Sequence, residues 1–264
     1  MPFPSPQFPF HPLPLSNVTI PKTPFTEASH AFLSAHTSQA TVNHCLRSVC
    51  FSLLLIQRLP NSANLTNPLD TEAIVLSVLL HDMGWAKTKS LLSNDTRFEV
   101  DGANIARTFL TGTGLDKAAW DAHRLQLVWD AIALHTTPSI AVHKEAEVAA
   151  AHLGITADFF GPYFPPPGNG KLGAVISVEE YREIVRAFPR EGFKDGLIQI
   201  MCGLCREKPH TTFDNFVSEF GLEFGMDGKG AGKEDFKAEW EVKGHVMPML
   251  FQGLDKCAVI EEES

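Results

Sequence analysis

A chain of 264 residues, 44% of them hydrophobic, is long enough to bury one substantial core without disulfides. Its formal net charge is −9 and no run of Lys or Arg stands out. Nucleic acid and anionic membrane surfaces are therefore excluded as expected partners, because both require clustered positive charge. No apolar run approaches the roughly 20 residues of a spanning helix, and the Pro-rich N-terminus lacks the basic and apolar segments of a secretory signal. A cytoplasmic protein is expected.

Residues 1 to about 25 alternate Pro with Phe and Leu, which predicts an extended arm rather than a helix. Its aromatics Phe3, Phe8 and Phe10 favour seating on the body or on a sister subunit, so a homo-oligomer joined through the arm is one expected partnership. Helical periodicity then runs from Thr26 to about Leu59, stopped by Pro60 and the loop NSANLTNP. Asp70 or Thr71 caps a strongly apolar helix reaching about Asp82. Residues 101–111 and 117–135 read as two helices parted by TGTG, and a further one over 144–160 ends at Gly161-Pro162. YFPPPGNGKLG is loop by composition. Helices are predicted at about 178–188, 192–206 and 212–220, then a glycine-rich turn, GMDGKGAGKED, and a last helix over 234–252. With no strand alternation, repeat or domain-scale change of composition, the expectation is one all-α helical bundle with an arm.

The five cysteines are an odd number, and Cys45, Cys50 and Cys202 lie in apolar runs, so they are read as reduced core residues. Cys202-Gly-Leu-Cys205 has the CxxC form. It has neither a strand before it nor a second ligand pair, so packing on a helix is the expected role.

The chemistry lies where apolar stripes break. In TEAIVLSVLLHDM, Val75, Val78, Leu79 and Asp82 fall at i, i+3, i+4 and i+7, with Ile74, Ser77 and His81 in the adjacent row. An unpaired carboxylate in such a place costs several kcal/mol, so a cation must compensate it, whether Arg, Lys or a metal. Leu125, Val128 and Ile132 make a second stripe whose next member is His135, and His44 shares a row with Ser48, Phe51 and Leu55. One such histidine is ordinarily a hydrogen-bonded core residue. Three apolar faces ending in His or Asp point instead to imidazole and carboxylate ligands of a borderline divalent ion such as zinc, iron or manganese.

His44, then LLHDMGWAK with His81-Asp82, then ITADFFGP with Asp158, resembles the H…HD…D signature of the HD-domain metal-dependent hydrolases. Within that superfamily RFEVDGANIARTFL, the run ending at His135, IVRAFPR and KPHTTFDNFVSEFG are similar to the fungal cyanamide hydratase-like branch. The resemblance covers residues 26–222, leaving 1–25 as the arm and 223–264 as a turn and helix packed on the same domain. It implies His44, His81, Asp82 and Asp158 as the ligands of one catalytic metal, zinc first, with iron or manganese as alternatives. Binuclear relatives carry two further histidines; His135 falls in the region of the second, and Glu99 stands where the first would be. One metal is the favoured reading, with His135 and Glu99 lining the pocket.

The resemblance further implies a hydratase that adds metal-activated water to a small nitrile such as cyanamide, giving urea. His135, Lys87 and Glu99 are the candidates to supply a proton or stabilise developing charge, and Trp85 and Phe159 are expected as pocket walls. An ordinary solvated lysine is the plain alternative for Lys87, and pairing with Arg97 or a lysine for Glu99. Phosphohydrolysis of nucleotides or small phosphate esters is the runner-up and would gather basic residues at the metal, from among Arg47, Lys87, Lys89, Arg97, Arg107 and Arg124. A two-iron oxygenase and a non-catalytic metal-binding or structural protein complete the alternatives.

Overall fold

The computed structural model describes residues 9–58, 68–112, 114, 120–164 and 175–262. Expectations placed on Phe3, Phe8, the loop from Leu59 to residue 67, residues 115–119 and most of YFPPPGNGKLG lie outside them. The protein is all-α: among the described residues the only extended pairing is one antiparallel bridge between Leu13 and Val18. Two compact units divide the chain, one comprising residues up to 93 with 98–193 and the other 94–97 with 194–264.

In the first unit, α1 (Pro24–His36) and α2 (Gln39–Ile56) replace the single helix expected from Thr26 to Leu59. The break has a local cause. Thr37 turns to extended backbone while its hydroxyl donates to the Leu33 carbonyl at 2.8 Å, and the Ser38 side chain accepts the Thr41 N–H as a fresh N-cap. Every residue of α2 from Thr41 to Leu55 is buried. A helix apolar around most of its circumference belongs inside a bundle. α2 packs along α7 (Ala146–Phe160) and against α3 (Thr71–Leu80), and α3 also meets α1, α5 (Ala122–Ala133) and α7. α4 (Phe98–Gly112) lies on α5; the short α6 (Pro138–Ala141), which periodicity did not reveal, precedes α7, and α8 (Val178–Ala187) follows it. The capping box of α8 pairs Ser177 with Glu180.

Close approach of α7 to α2 depends on Gly154. A Cβ at that position would fall 2.6 Å from the Ser52 backbone nitrogen. The glycine lies one helical turn before Asp158, so it sets how near that carboxylate comes to α2.

The described part of the arm lies on this unit. Leu13, Val18 and Ile20 are buried in its core, and Glu183 of α8 accepts from the Leu15 and Ser16 N–H groups and from the Ser16 hydroxyl.

The second unit carries α9 (Phe193–Glu207) from Lys194 onward, then α10 (Val217–Phe224), α11 (Lys233–Lys243) and α12 (Val246–Glu262). Two predicted boundaries change. The helix expected at 212–220 starts later, because Thr211 and Thr212 hydroxyls bond back to the Lys208 and Pro209 carbonyls and hold a turn there. The helix expected over 234–252 is two, parted at Gly244. Cys202 and Cys205 are buried packing residues whose thiols donate to the Phe220 and Val217 carbonyls, as the packing reading of CxxC requires. All five thiols are free, but Cys257 on α12 is exposed, which corrects its reading as a core residue. Among the described residues no helix is long and apolar enough to cross a membrane.

Candidate metal centre

α3 is buried from Ala73 to Leu80, capped at its start by Asp70, whose carboxylate accepts the Ala73 N–H. Past Leu80 the chain tightens into a 3-10 turn, His81–Trp85, with Asp82 at φ −95°, ψ 17°. Gly84 allows this turn to lie on α4, since a Cβ there would collide with the Phe98 backbone. His81 and Asp82 are thereby delivered into the core opposite His44 of α2.

His81 Nδ1 bonds the Val78 carbonyl at 2.7 Å and His44 Nδ1 bonds Asp158 Oδ2 at 2.7 Å. Both acceptors take a proton, so each ring is held with Nδ1–H outward and Nε2 turned into the cluster. The two Nε2 atoms face each other at 3.2 Å, and Asp82 Oδ2 lies 3.5 Å from His44 Nε2 and 3.2 Å from His81 Nε2. Among the described residues neither Asp82 oxygen receives a hydrogen bond, although both are buried. Two imidazole nitrogens and an anionic oxygen converging in a dry core need a cation among them, which is a proton on His81 or a metal ion. Ligand atoms arranged tetrahedrally about 2.0–2.1 Å from a zinc-like ion stand about 3.3 Å apart, which is the size of this triangle. The donor set and its spacing fit one divalent ion.

Electrostatics agree. Burial would raise the Asp82 carboxyl, but His81, with His44 and His135 behind it, holds it below the usual carboxylate range, so it stays ionised. Burial opposes charge on His81, yet Asp82 and Cys45 carry its pKa well above the ordinary histidine value. For His44 burial prevails over Asp158 and the pKa falls, which keeps the ring neutral.

Asp158 is brought to the cluster but differs from the other three. Its Oδ1 accepts from Arg47 Nε and from Arg190 Nη2, each at 2.8 Å; its Oδ2 accepts from Arg47 Nη2 at 2.9 Å and from His44 Nδ1. The remaining Arg47 nitrogen donates to the Phe188 and Pro189 carbonyls, so this fully buried guanidinium is satisfied. Burial acts to raise Asp158, but His44 and Arg47 outweigh it and bring the carboxyl down to about 2.

His135 stands beside the triangle, its ring centroid 4.9 Å from that of His81, with Nδ1 bonded to the Ile132 carbonyl at 2.6 Å. Burial, reinforced by His81, pulls its pKa down to about 4. Its own carbonyl accepts from His152 Nδ1, and the buried Glu99 accepts the Thr136 hydroxyl at 2.6 Å. Lys87 is exposed, and its backbone N–H, not its ammonium, ties it to His36. The structure does not draw that side chain into the buried cluster. Around His44 stand Trp85, Phe159 and Phe193, with ring centroids at 6.4, 5.3 and 4.5 Å. Phe159 is 48% exposed; Trp85 is buried and its indole N–H finds no acceptor among the described residues.

Residues 41–154 match the HD domain family profile. This segment is similar to HD domains. No curated protein is detectably similar to the chain. The HD domain spans His44, His81 and Asp82, and Asp158 lies just beyond the match. HD domains are typically metal-dependent hydrolases, and the His44–His81–Asp82 group could hold such a metal. Sequence reasoning did not identify the roles of Arg47, Arg190, Phe193 and Thr136. Arg47 left a signal, a charge in an apolar run one turn after His44; Arg190 is distant in sequence and left none.

Proposed function

We propose that this HD-domain chain adds water to a small neutral nitrile such as cyanamide, giving urea, with one metal per chain held by His44, His81 and Asp82. The observation that carries the metal is the Asp82 carboxylate, without a hydrogen-bond partner among the described residues, set 3.2 and 3.5 Å from the Nε2 atoms of His81 and His44. A divalent ion in that position supplies Lewis-acid activation of water at neutral pH.

The chain's own groups supply the rest. His135 is neutral at pH 7 and has Nδ1 committed to Ile132, so Nε2 is the atom that takes a proton from attacking water and returns it to the nitrile nitrogen. The Trp85 N–H, buried without an acceptor among the described residues, is available to a substrate heteroatom, and the buried Phe193 ring stacked on His44 keeps water from that face. A neutral substrate is favoured because Arg47 and Arg190 both spend donors on Asp158 while Lys87 points to solvent.

Phosphohydrolysis has one observation in its favour: Arg190 Nε is buried without an acceptor. Metal-loaded protein is expected to form urea from cyanamide and to release no phosphate from nucleoside monophosphates. Phosphate release with cyanamide inert would reverse the ranking, and full activity in chelator would remove the metal from it. Elemental analysis is expected to give one metal per chain in the wild type and in His135→Ala alike, with turnover of the variant lowered roughly 10²–10⁴-fold.

A further inference from the structure

We propose that Asp158 orients a metal ligand instead of being one, fixing His44 in the tautomer that presents Nε2 to the ion, with Arg47 as the clamp that keeps the carboxylate in place. The inference rests on His44, His81 and Asp82 as the metal-holding set, and it departs from the four-ligand signature read in the sequence.

A carboxylate offers about four lone-pair sites on its two oxygens. Asp158 uses four. Arg47 takes one site on each oxygen through Nε and Nη2, Arg190 takes a second on Oδ1, and His44 Nδ1 takes a second on Oδ2. Among the described residues Asp82 accepts no hydrogen bond and meets only the two imidazoles, His81 at 3.2 Å and His44 at 3.5 Å. Two aspartates with the same chemistry and the same burial are thus treated in opposite ways, one saturated with donors and one facing only the two imidazoles. A saturated carboxylate bonded to the far nitrogen of a ligating imidazole is the arrangement that sets ring orientation and raises ligand basicity. The bidentate fork is also specific to arginine, because lysine offers one point charge where two parallel N–H groups are needed. Arg47 precedes Asp158 by most of the chain's HD segment, and the Gly154 contact between α7 and α2 brings the two together.

The test is a crystal structure of the zinc-loaded full chain, with zinc titrations of the wild type, Asp158→Asn, Arg47→Lys and Asp82→Asn. The expected structure places zinc on His44 Nε2, His81 Nε2 and Asp82, with Asp158 still on Arg47 and His44 Nδ1. Asp158→Asn is expected to keep one zinc with affinity lowered about 10–100-fold, as for loss of an outer-shell partner, and Arg47→Lys to weaken binding in the same direction. Asp82→Asn should lose far more. With cobalt in place of zinc, the band positions and intensities of Asp158→Asn should match the wild type, because the donor set is unchanged. An Asp158 oxygen at about 2.0–2.2 Å from zinc overturns the proposal. So does loss of zinc in Asp158→Asn as complete as in Asp82→Asn, and unchanged affinity in Arg47→Lys removes the clamp. If Asp158→Asn does not fold, the wild-type structure decides by itself. Failure of the underlying site reads differently: Asp82→Asn would then bind zinc like the wild type.

Discussion

Arg47 sits in the middle of the most buried helix of the chain, and its guanidinium is balanced by a carboxylate from α7. Removing one member of a buried pair leaves the other charged and dry. Arg47→Met is therefore expected to destabilise the protein by about 3–5 kcal/mol, and Arg47→Met combined with Asp158→Leu by less than the single change. Denaturant unfolding of both variants checks this; a single variant as stable as the wild type would show that the pair is not buried as described. His135 gives a second prediction at this scale. Its folded pKa of about 4 lies below the ordinary histidine value of 6.5, so the folded state favours the neutral ring. The resulting stability is fully present above pH 6.5, is lost as pH falls toward 4, and is absent below that. For a fully buried ring the loss amounts to about 3 kcal/mol. The metal-free wild type should therefore lose stability over this window more steeply than metal-free His135→Gln, and parallel curves for the two would refute it.

Between residues and molecule stand the elements, and here α2, α3 and α7 matter most. α7 meets α2 only because Gly154 has no side chain, so Gly154→Ala is expected to cost at least 1–3 kcal/mol through overpacking against Ser52 and to weaken metal binding by moving Asp158. Thermal unfolding and zinc titration of that one variant measure both effects, and an Ala variant that melts and binds like the wild type would sink the account. Ser38→Ala is the milder counterpart. It removes the side-chain acceptor for the Thr41 N–H and should cost about 1 kcal/mol, read by denaturant unfolding, without touching the metal donors.

For the whole molecule, metal and fold are linked, because an ion that binds only the folded chain stabilises it by mass action. Zinc at 100 times its dissociation constant is expected to add about 2.7 kcal/mol to the wild type and nothing to Asp82→Asn, measured by unfolding with and without the ion. The sequence by itself determined the helical class, most helix positions and the three residues that gather into one buried group, His44, His81 and Asp82. Each of these is a local property: apolar periodicity marks a buried face, and an Asp or His breaking that periodicity marks a group needing compensation, as Asp82 and His44 show. Helix ends at Thr37–Ser38 and Gly244 were less legible, since side-chain bonds back to the chain compete there with a periodicity that runs on across the break. Only the tertiary structure decided what each polar group does. Lys87 follows the HD pair closely yet ends in solvent, and Arg47 and Arg190 meet at one carboxylate from far apart in the chain. Periodicity tells which face of a helix is buried but not which helix it will meet, so a lone pair's partner, whether metal or guanidinium, is settled only when α2, α3 and α7 close on one another.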